Sequence, residues 1–173
     1  MNIPQNIERF IDESPVSLVA DRGGPLSLND VQDFYDREVS PLVKSKKYGK
    51  LCLAGLMFAQ DYIWEAHEIV QDYPEVEASW WHAFMHRMEG DYGNSAYWYR
   101  RVGTPSYYVN FFDSVKELSL VSEIAQVQNA SAWDPLEFNG LIKTFINLHK
   151  DSLHKVHVLE LKFLFAECLK KAS

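Results

Sequence analysis

The sequence has little of what marks secreted, membrane-spanning or thiol-dependent proteins. Only two cysteines occur, Cys52 and Cys168, and they lie far apart in apolar stretches, so we expect buried, reduced thiols. The longest apolar run, LCLAGLMFA, is much shorter than the roughly 20 residues of a membrane span. The opening MNIPQNIERF is too polar for a signal peptide. These absences predict a soluble, cytoplasmic protein that does not bind a membrane.

Common enzyme motifs are missing as well. The chain has no Gly-rich phosphate loop, no G-x-S-x-G nucleophile elbow and no Cys-His catalytic pattern, which argues against nucleotide-binding folds and the common hydrolase triads. The formal net charge of -7 makes the chain as a whole repel nucleic acid. We therefore expect no nucleic-acid partner.

What the sequence does contain is a series of helical patterns. Apolar residues recur at spacings of three and four, between turns rich in Gly, Pro and Asp. We predict an all-α fold, a single compact multi-helix domain over residues 1–173 with about six to eight helices built on antiparallel helix hairpins. Residues 1–26 are expected to be irregular, with one or two helical turns at IERFIDESP.

Local sequence also predicts where several helices begin and end. Ser27 and Asp134 suit helix N-caps, and Pro135 suits a first helical position. One helix is predicted over residues 50–72, and Pro74 should end it. A second helix follows to about Glu89, and a third runs through SAYWYRR.

One stretch, WWHAFMHRMEGDYGNSAYWYRRVG over residues 80–103, combines many polar and aromatic side chains. Counting outward from a turn near Pro74, His67 lies level with His82, and His86 lies one turn further. The three imidazoles are therefore predicted to meet between two helices and to bind zinc, iron, manganese or another divalent metal. Glu68 or Glu89 would then act as a fourth ligand or as a general base.

Two alternatives to a metal site stay open for this stretch. The histidines are also compatible with a buried network that holds the helices together, because buried polar groups recruit partners. The third helix and its neighbours also suit a small acidic ligand, for which the candidate residues are Arg87, Asn94, Tyr97, Trp98 and Arg101. The competing interpretation pairs the arginines Arg87 and Arg101 internally with Glu68, Glu89 and Asp91.

The stretches AGLMFAQDYIWEAHEIVQD, WWHAFMHRMEGDYGNSAYWYRRVG and WDPLEF resemble a family of helical proteins from fungi and bacteria, some of them loosely labelled ankyrin-repeat-related. Members carry a stretch close to W-H-A-I-M-H-R-R-E-x-D-Y-x-N-A-K-Y-W-F-R-R-V-G. The resemblance covers residues 50–104 and 132–138 and implies a shared residue pattern, but no particular activity. This chain departs from it at Met88, where members have Arg, and at TPS after RVG, where members have a His-Pro pair.

Two functions follow from these patterns. The first is a small-molecule enzyme or ligand-binding protein, metal-dependent in one version, with its site between the helices. The second is a non-catalytic protein-interaction module that uses exposed aromatics as anchors, which are Trp81, Tyr99, Tyr107 and Tyr108. The same aromatic surface is compatible with a homodimer. The C-terminal histidines His149, His154 and His157 are expected at the solvated surface.

Overall fold

A computed structural model describes residues 3–20 and 23–173 of the chain. Over these residues the protein is all-helical and has no strand, which confirms the predicted class. Nine α-helices occur in these ranges, more than expected, and short non-α turns lie at Tyr35–Val39 (π), Ser40–Leu42 (3-10) and Ala125–Asn129 (3-10). The helices are α1 (Gln5–Asp12), α2 (Leu28–Phe34), α3 (Lys46–Ala59), α4 (Ile63–Val70), α5 (Val76–Met88), α6 (Tyr92–Val102), α7 (Tyr108–Lys116), α8 (Pro135–Phe145) and α9 (Lys150–Ala172).

Helix starts follow the local sequence closely. Ser27 caps α2 and forms a reciprocal capping box with Asp30. Asp134 caps α8, with Pro135 at the first helical position. Asp91 caps α6 by accepting a hydrogen bond from the backbone N–H of Asn94. The predicted ends at Ser27 and Asp134 are confirmed, because each depends on residues within one turn of the cap.

The single helix predicted over residues 50–72 is wrong, because the structure has two helices there. Asp61, between α3 and α4, adopts a left-handed backbone with a φ of 59°. Its carboxylate accepts hydrogen bonds from the backbone N–H and Oγ of Ser17, at 2.9 and 2.6 Å. Aspartate tolerates this backbone region better than most residues, and the two bonds stabilise the break. Within residues 1–26, α1 supplies the two turns of helix that IERFIDESP offers.

One cluster of buried apolar side chains includes residues from all the described α-helices. Helices α3, α5 and α9 approach closely at Gly55, where an added Cβ would lie 2.9 Å from the Trp81 ring and 3.0 Å from the Phe165 ring. Helix α4 also packs against α5, and α5 packs against α6. The polar stretches of these three helices are therefore side by side. In the described ranges, no helix has both the length and the apolar character needed to cross a bilayer.

Candidate functional site

The structure brings the three predicted histidines together. His67 lies on α4, and His82 and His86 lie one turn apart on α5. The His67 ring centroid is 5.0 Å from that of His82 and 6.2 Å from that of His86, and the rings of His82 and His86 are 6.5 Å apart. His82 is buried, whereas the other two are half-buried. We call these three residues the histidine trio.

Hydrogen bonds through Nδ1 orient two of the three rings. Nδ1 of His82 lies 3.1 Å from the carbonyl oxygen of Ala78, and Nδ1 of His86 lies 2.7 Å from Oε2 of Glu89. Carbonyl and carboxylate oxygens only accept, so Nδ1 carries the proton in both rings. In the neutral rings Nε2 therefore holds the lone pair, which is the form in which an imidazole binds a metal or accepts a proton.

The surroundings of His82 and His67 favour the uncharged imidazole. Burial lowers the pKa of His82 to about 4, and the nearby His67, His86 and Arg101 act in the same direction. Burial also lowers the pKa of His67, with a further contribution from His86. Neutral imidazoles are the form that offers lone pairs to a ligand, so His82 and His67 are available to one at physiological pH.

Helix α6 adds aromatic and cationic neighbours. The Trp98 ring stacks on His82 with centroids 4.0 Å apart and an interplanar angle of 12°. The guanidinium carbon of Arg101 lies 5.1 Å from the Trp98 ring centroid, and the Tyr97 ring meets Trp98 edge-on at 5.6 Å. Arg101 is exposed and Tyr97 is 52% exposed. Three of the predicted ligand-binding residues therefore lie beside the trio, two of them open to solvent.

The trio as it stands does not enclose a metal ion. In residues 3–20 and 23–173, no group of three or more His, Cys, Asp or Glu side chains is arranged to hold one. The rings of His82 and His86 are fixed by their Nδ1 bonds. His67 is half-exposed, so its side-chain torsions can change to bring its nitrogens toward the other two rings.

The remaining predicted site residues have other surroundings. Asn94 donates from its backbone and side-chain nitrogens to Asp91, at 3.0 and 3.1 Å, and so belongs to the cap of α6. Glu89 is engaged by His86, which makes it an orienting group and not a free base. Glu68 is exposed and lines a separate cleft of about 510 Å³ between α2, α3 and α4, from which its charge still acts on His67.

Arg87 lies in the core instead of at the trio, which corrects its expected role as a ligand-binding residue. Its guanidinium donates to the Tyr99 hydroxyl at 2.7 Å, to Oε2 of Glu160, and to Nδ1 of His157 at 3.1 Å. Both Arg87 and Glu160 are fully buried. The ion-pair alternative placed its partner at Glu68, Glu89 or Asp91, whereas the partner is a glutamate on the last helix.

Sequence reasoning missed two residues of this buried network. Oε1 of Glu160 accepts hydrogen bonds from Trp80 Nε1 and the Tyr99 hydroxyl, both at 2.6 Å. Nε2 of His157 donates to the Ser17 carbonyl oxygen at 3.1 Å, and burial with Arg87 holds the pKa of His157 well below its usual value. The expectation that His157 is solvated is therefore wrong. Its spacing of three from Glu160, inside the apolar run HVLELKFLF, was the available indication.

The aromatic anchors expected for an interaction module are mostly unavailable. Trp81, Tyr99 and Tyr108 are buried, so they do not meet a partner at the surface. Tyr107 is half-buried and donates a hydrogen bond to Glu77 at 3.0 Å. The expectation of exposed anchors at these positions is therefore wrong.

Comparisons with known proteins add no assignment. The chain matches no protein-family model, no curated protein and no solved structure. The chemistry of the site therefore has to be argued from its own side chains.

Proposed function

We propose that the protein binds one divalent first-row metal ion at the histidine trio and uses it to hold a small acidic ligand. The proposal rests on the hydrogen bonds made by Nδ1 of His82 and Nδ1 of His86. They leave the Nε2 lone pairs of His82 and His86 free on neighbouring turns of one helix, with His67 beside them. Metal-binding histidines commonly have such an acceptor behind the ring.

The neighbouring residues suit the remaining roles. An imidazole set of three leaves an open coordination position, as catalytic zinc sites do. Arg101 would pair with an acidic ligand in that position, and Trp98 and Tyr97 would form its aromatic wall. Glu89 would orient His86. Glu68 lines a separate cleft, so it would act on the site through its charge near His67 and not as a base at the ion.

The same proposal includes the finer description of the fold. We propose one compact domain in which α4 and α5 form an antiparallel hairpin. The apolar cluster shared by the described α-helices supports the single domain, and the short link between α4 and α5 supports the hairpin. The membership suggested by the W-H-A-I-M-H motif stays a prediction.

Metal analysis of the purified chain tests the site. Untagged protein prepared without chelator is expected to contain about one metal ion per chain or to take up one zinc ion in calorimetric titration. His82→Ala should abolish binding, and Glu89→Gln should weaken it about 10–100-fold because His86 loses its orienting partner. His149→Ala, which changes a histidine outside the trio, is the matched control and should bind like the wild type.

A different result would identify the trio as structural. The metal proposal fails if neither the wild type nor His82→Ala takes up zinc. If the free energy of unfolding of the variant in urea is also lower by about 1–3 kcal/mol, the histidines hold the helices together.

One observation favours an interaction module as a second candidate. Trp64, three residues before His67 on α4, is 61% exposed, and Tyr97 is 52% exposed. Exposed aromatics of this kind are common anchors for a protein partner. The test is sedimentation of the wild type and of Trp64→Ala. A wild type that sediments as a homodimer and a variant that sediments as a monomer would support an interface at Trp64. Monomers in both cases would argue against a homodimer.

A further inference from the structure

An open groove of about 840 Å³ runs along the last turns of α9. Its floor is apolar, because Phe163 and Leu169 of α9 line it and are each 5% exposed. Leu42, from the 3-10 turn before α3, also lines the groove and is 40% exposed. The volume is in the range of ligand sites. None of the lining residues belongs to the histidine trio, so what the groove does is independent of the metal proposal.

Five exposed lysines lie at the same end of the molecule. We call them the basic end, which comprises Lys44, Lys46, Lys47, Lys170 and Lys171. The backbone nitrogens of residues 44 and 45 donate to the carbonyl oxygen of Ala172 at 2.7 and 2.9 Å, which holds the start of α3 against the end of α9. Nζ of Lys47 and Nζ of Lys171 lie 5.2 and 5.7 Å from the centroid of the same ring, that of Tyr48. The two helix ends therefore form one positively charged surface.

Internal ion pairs neutralise only part of the basic end. Glu75 and Glu77 each pair with one of its lysines. Within residues 3–20 and 23–173, the other three, Lys44, Lys46 and Lys170, have no carboxylate partner. The chain as a whole has a net charge of -7, so this excess of positive charge is local. Such a surface attracts an anionic partner.

The fold explains the lysines at the end of α9 but not those at the start of α3. The C-terminal end of a helix is partly negative, so Lys170 and Lys171 stabilise α9. The N-terminal end is partly positive, yet α3 begins with Lys46 and has no acidic residue in its first turn. Positive charge there is unfavourable for the fold, and such departures from local preference are typical of residues that serve binding.

The groove and the basic end together favour an extended acidic chain over other anions. Lys44 and Lys46 are not among the residues that line the groove, so an anion that reaches both the groove and these lysines must extend beyond the groove. A lipid bilayer presents a broad surface, which does not reach a buried side chain such as Phe163 at the floor of a groove. One apolar side chain of a peptide does, as in other grooves that bind peptides.

We propose that this surface binds an acidic segment of a partner protein. One apolar side chain of the segment packs in the groove against Phe163 and Leu169. Its carboxylates pair with Lys44, Lys46 and Lys170, which gives the complex its specificity for an acidic chain.

Fluorescence anisotropy of the full chain at low salt, with chelator present, tests the proposal. The probe is a labelled peptide of about ten residues in which glutamates flank one central leucine. Replacing the leucine with serine should weaken binding about tenfold, because the apolar contact in the groove is lost. Replacing the glutamates with glutamines should weaken it at least about tenfold, as should raising the salt from about 0.05 M to about 0.5 M.

Charge reversals in the protein locate the site. Lys46→Glu and Lys170→Glu should each weaken binding of the peptide about threefold to tenfold. Lys46→Glu should not lower the Tm, because a carboxylate suits the first turn of α3, so its loss of binding is distinguishable from unfolding. Lys143→Glu, at an exposed lysine of α8, is the matched control and should bind like the wild type.

Several results would overturn the proposal. They are no anisotropy change with the glutamate–leucine peptide, equal affinity for the serine peptide, and equal losses in Lys46→Glu and Lys143→Glu. Sedimentation of the protein with phosphatidylserine–phosphatidylcholine vesicles, without binding of the peptide, would show that the basic end meets a membrane surface instead.

Discussion

At the scale of single residues, Arg87 and Glu160 form an ion pair inside the core. Both are fully buried, and removing two charges from water is costly unless each is paired and hydrogen-bonded. Glu160 accepts hydrogen bonds from Trp80, Tyr99 and Arg87, so its two oxygens are well supplied with donors. Nε of Arg87 has no partner among the described residues, so the guanidinium depends on the contacts made by its two terminal nitrogens.

Removing one charge of this pair should destabilise the protein strongly. Glu160→Gln keeps the side-chain shape but leaves the Arg87 guanidinium buried without a counter-charge, which is expected to lower the free energy of unfolding by about 3–5 kcal/mol. Urea denaturation at neutral pH measures it. Glu13→Gln, which breaks the exposed pair with Arg9, is the control and should leave stability nearly unchanged. A similar small effect for Glu160→Gln would show that the ion pair is not what stabilises this core.

The contrast between the trio and this network explains which site residues the sequence predicts. His67 and His82 are joined by one short turn, so helical spacing and a turn centre are enough to bring them together. Arg87 and Glu160 are 73 residues apart, and Trp80 and Glu160 are 80 apart. Spacing carries no information on such a pairing, because it depends on how α5 and α9 pack.

At the scale of the helices, sequence predicts the ends whose bonding partners are nearby in the chain and misses the end whose partner is distant. The caps at Ser27 and Asp134 are predicted because their partners lie within three residues. The break between α3 and α4 is not predicted, because Asp61 is bonded to Ser17, which is 44 residues away. The apolar spacing of three and four continues across the break, and no Gly or Pro marks it.

Substitutions at Asp61 test what stabilises the break between α3 and α4. Asp61→Ala removes both oxygens that accept hydrogen bonds from Ser17. It also places alanine at a positive φ, which aspartate tolerates better, so the free energy of unfolding should fall by about 2–4 kcal/mol. Asp61→Asn keeps one acceptor and tolerates this backbone, so the loss should be about 1 kcal/mol. Urea denaturation compares them, with Asp72→Ala, an exposed aspartate, as the control. Equal losses in the Ala and Asn variants would contradict a role for the Ser17 bonds.

For the whole molecule, the buried neutral His157 makes stability depend on pH. Burial and the nearby Arg87 hold the pKa of His157 well below its usual value of 6.5, whereas the unfolded chain titrates near that value. The unfolded state therefore binds an extra proton below about pH 6.5. The stabilising contribution is fully present above this pH and is lost as the pH falls, by up to about 1.4 kcal/mol per pH unit.

Unfolding free energies of the wild type and His157→Gln, measured in urea at several pH values in the presence of a chelator, check this prediction. The glutamine amide can still donate to the Ser17 carbonyl but does not titrate, so its stability should fall less steeply below pH 6.5. Parallel curves for the two proteins would show that His157 is not the group responsible.

The all-helical class is the part of the whole-molecule description that composition and periodicity predict well, because the apolar spacing of three and four recurs along the chain. The number of helices is underestimated, since α3 and α4 share one continuous pattern and α1 lies in a segment that looks mostly irregular.

The long separation within the buried ion pair also has a consequence for synthesis. A chain emerging from the ribosome presents α5, with Arg87 on it, well before residue 160 has been made. During that interval the arginine lacks Glu160, its partner in the folded core, and burying it alone is unfavourable. The centre of the protein therefore closes around α5 only after α9 has emerged, which makes the order of translation a constraint on when this core can form.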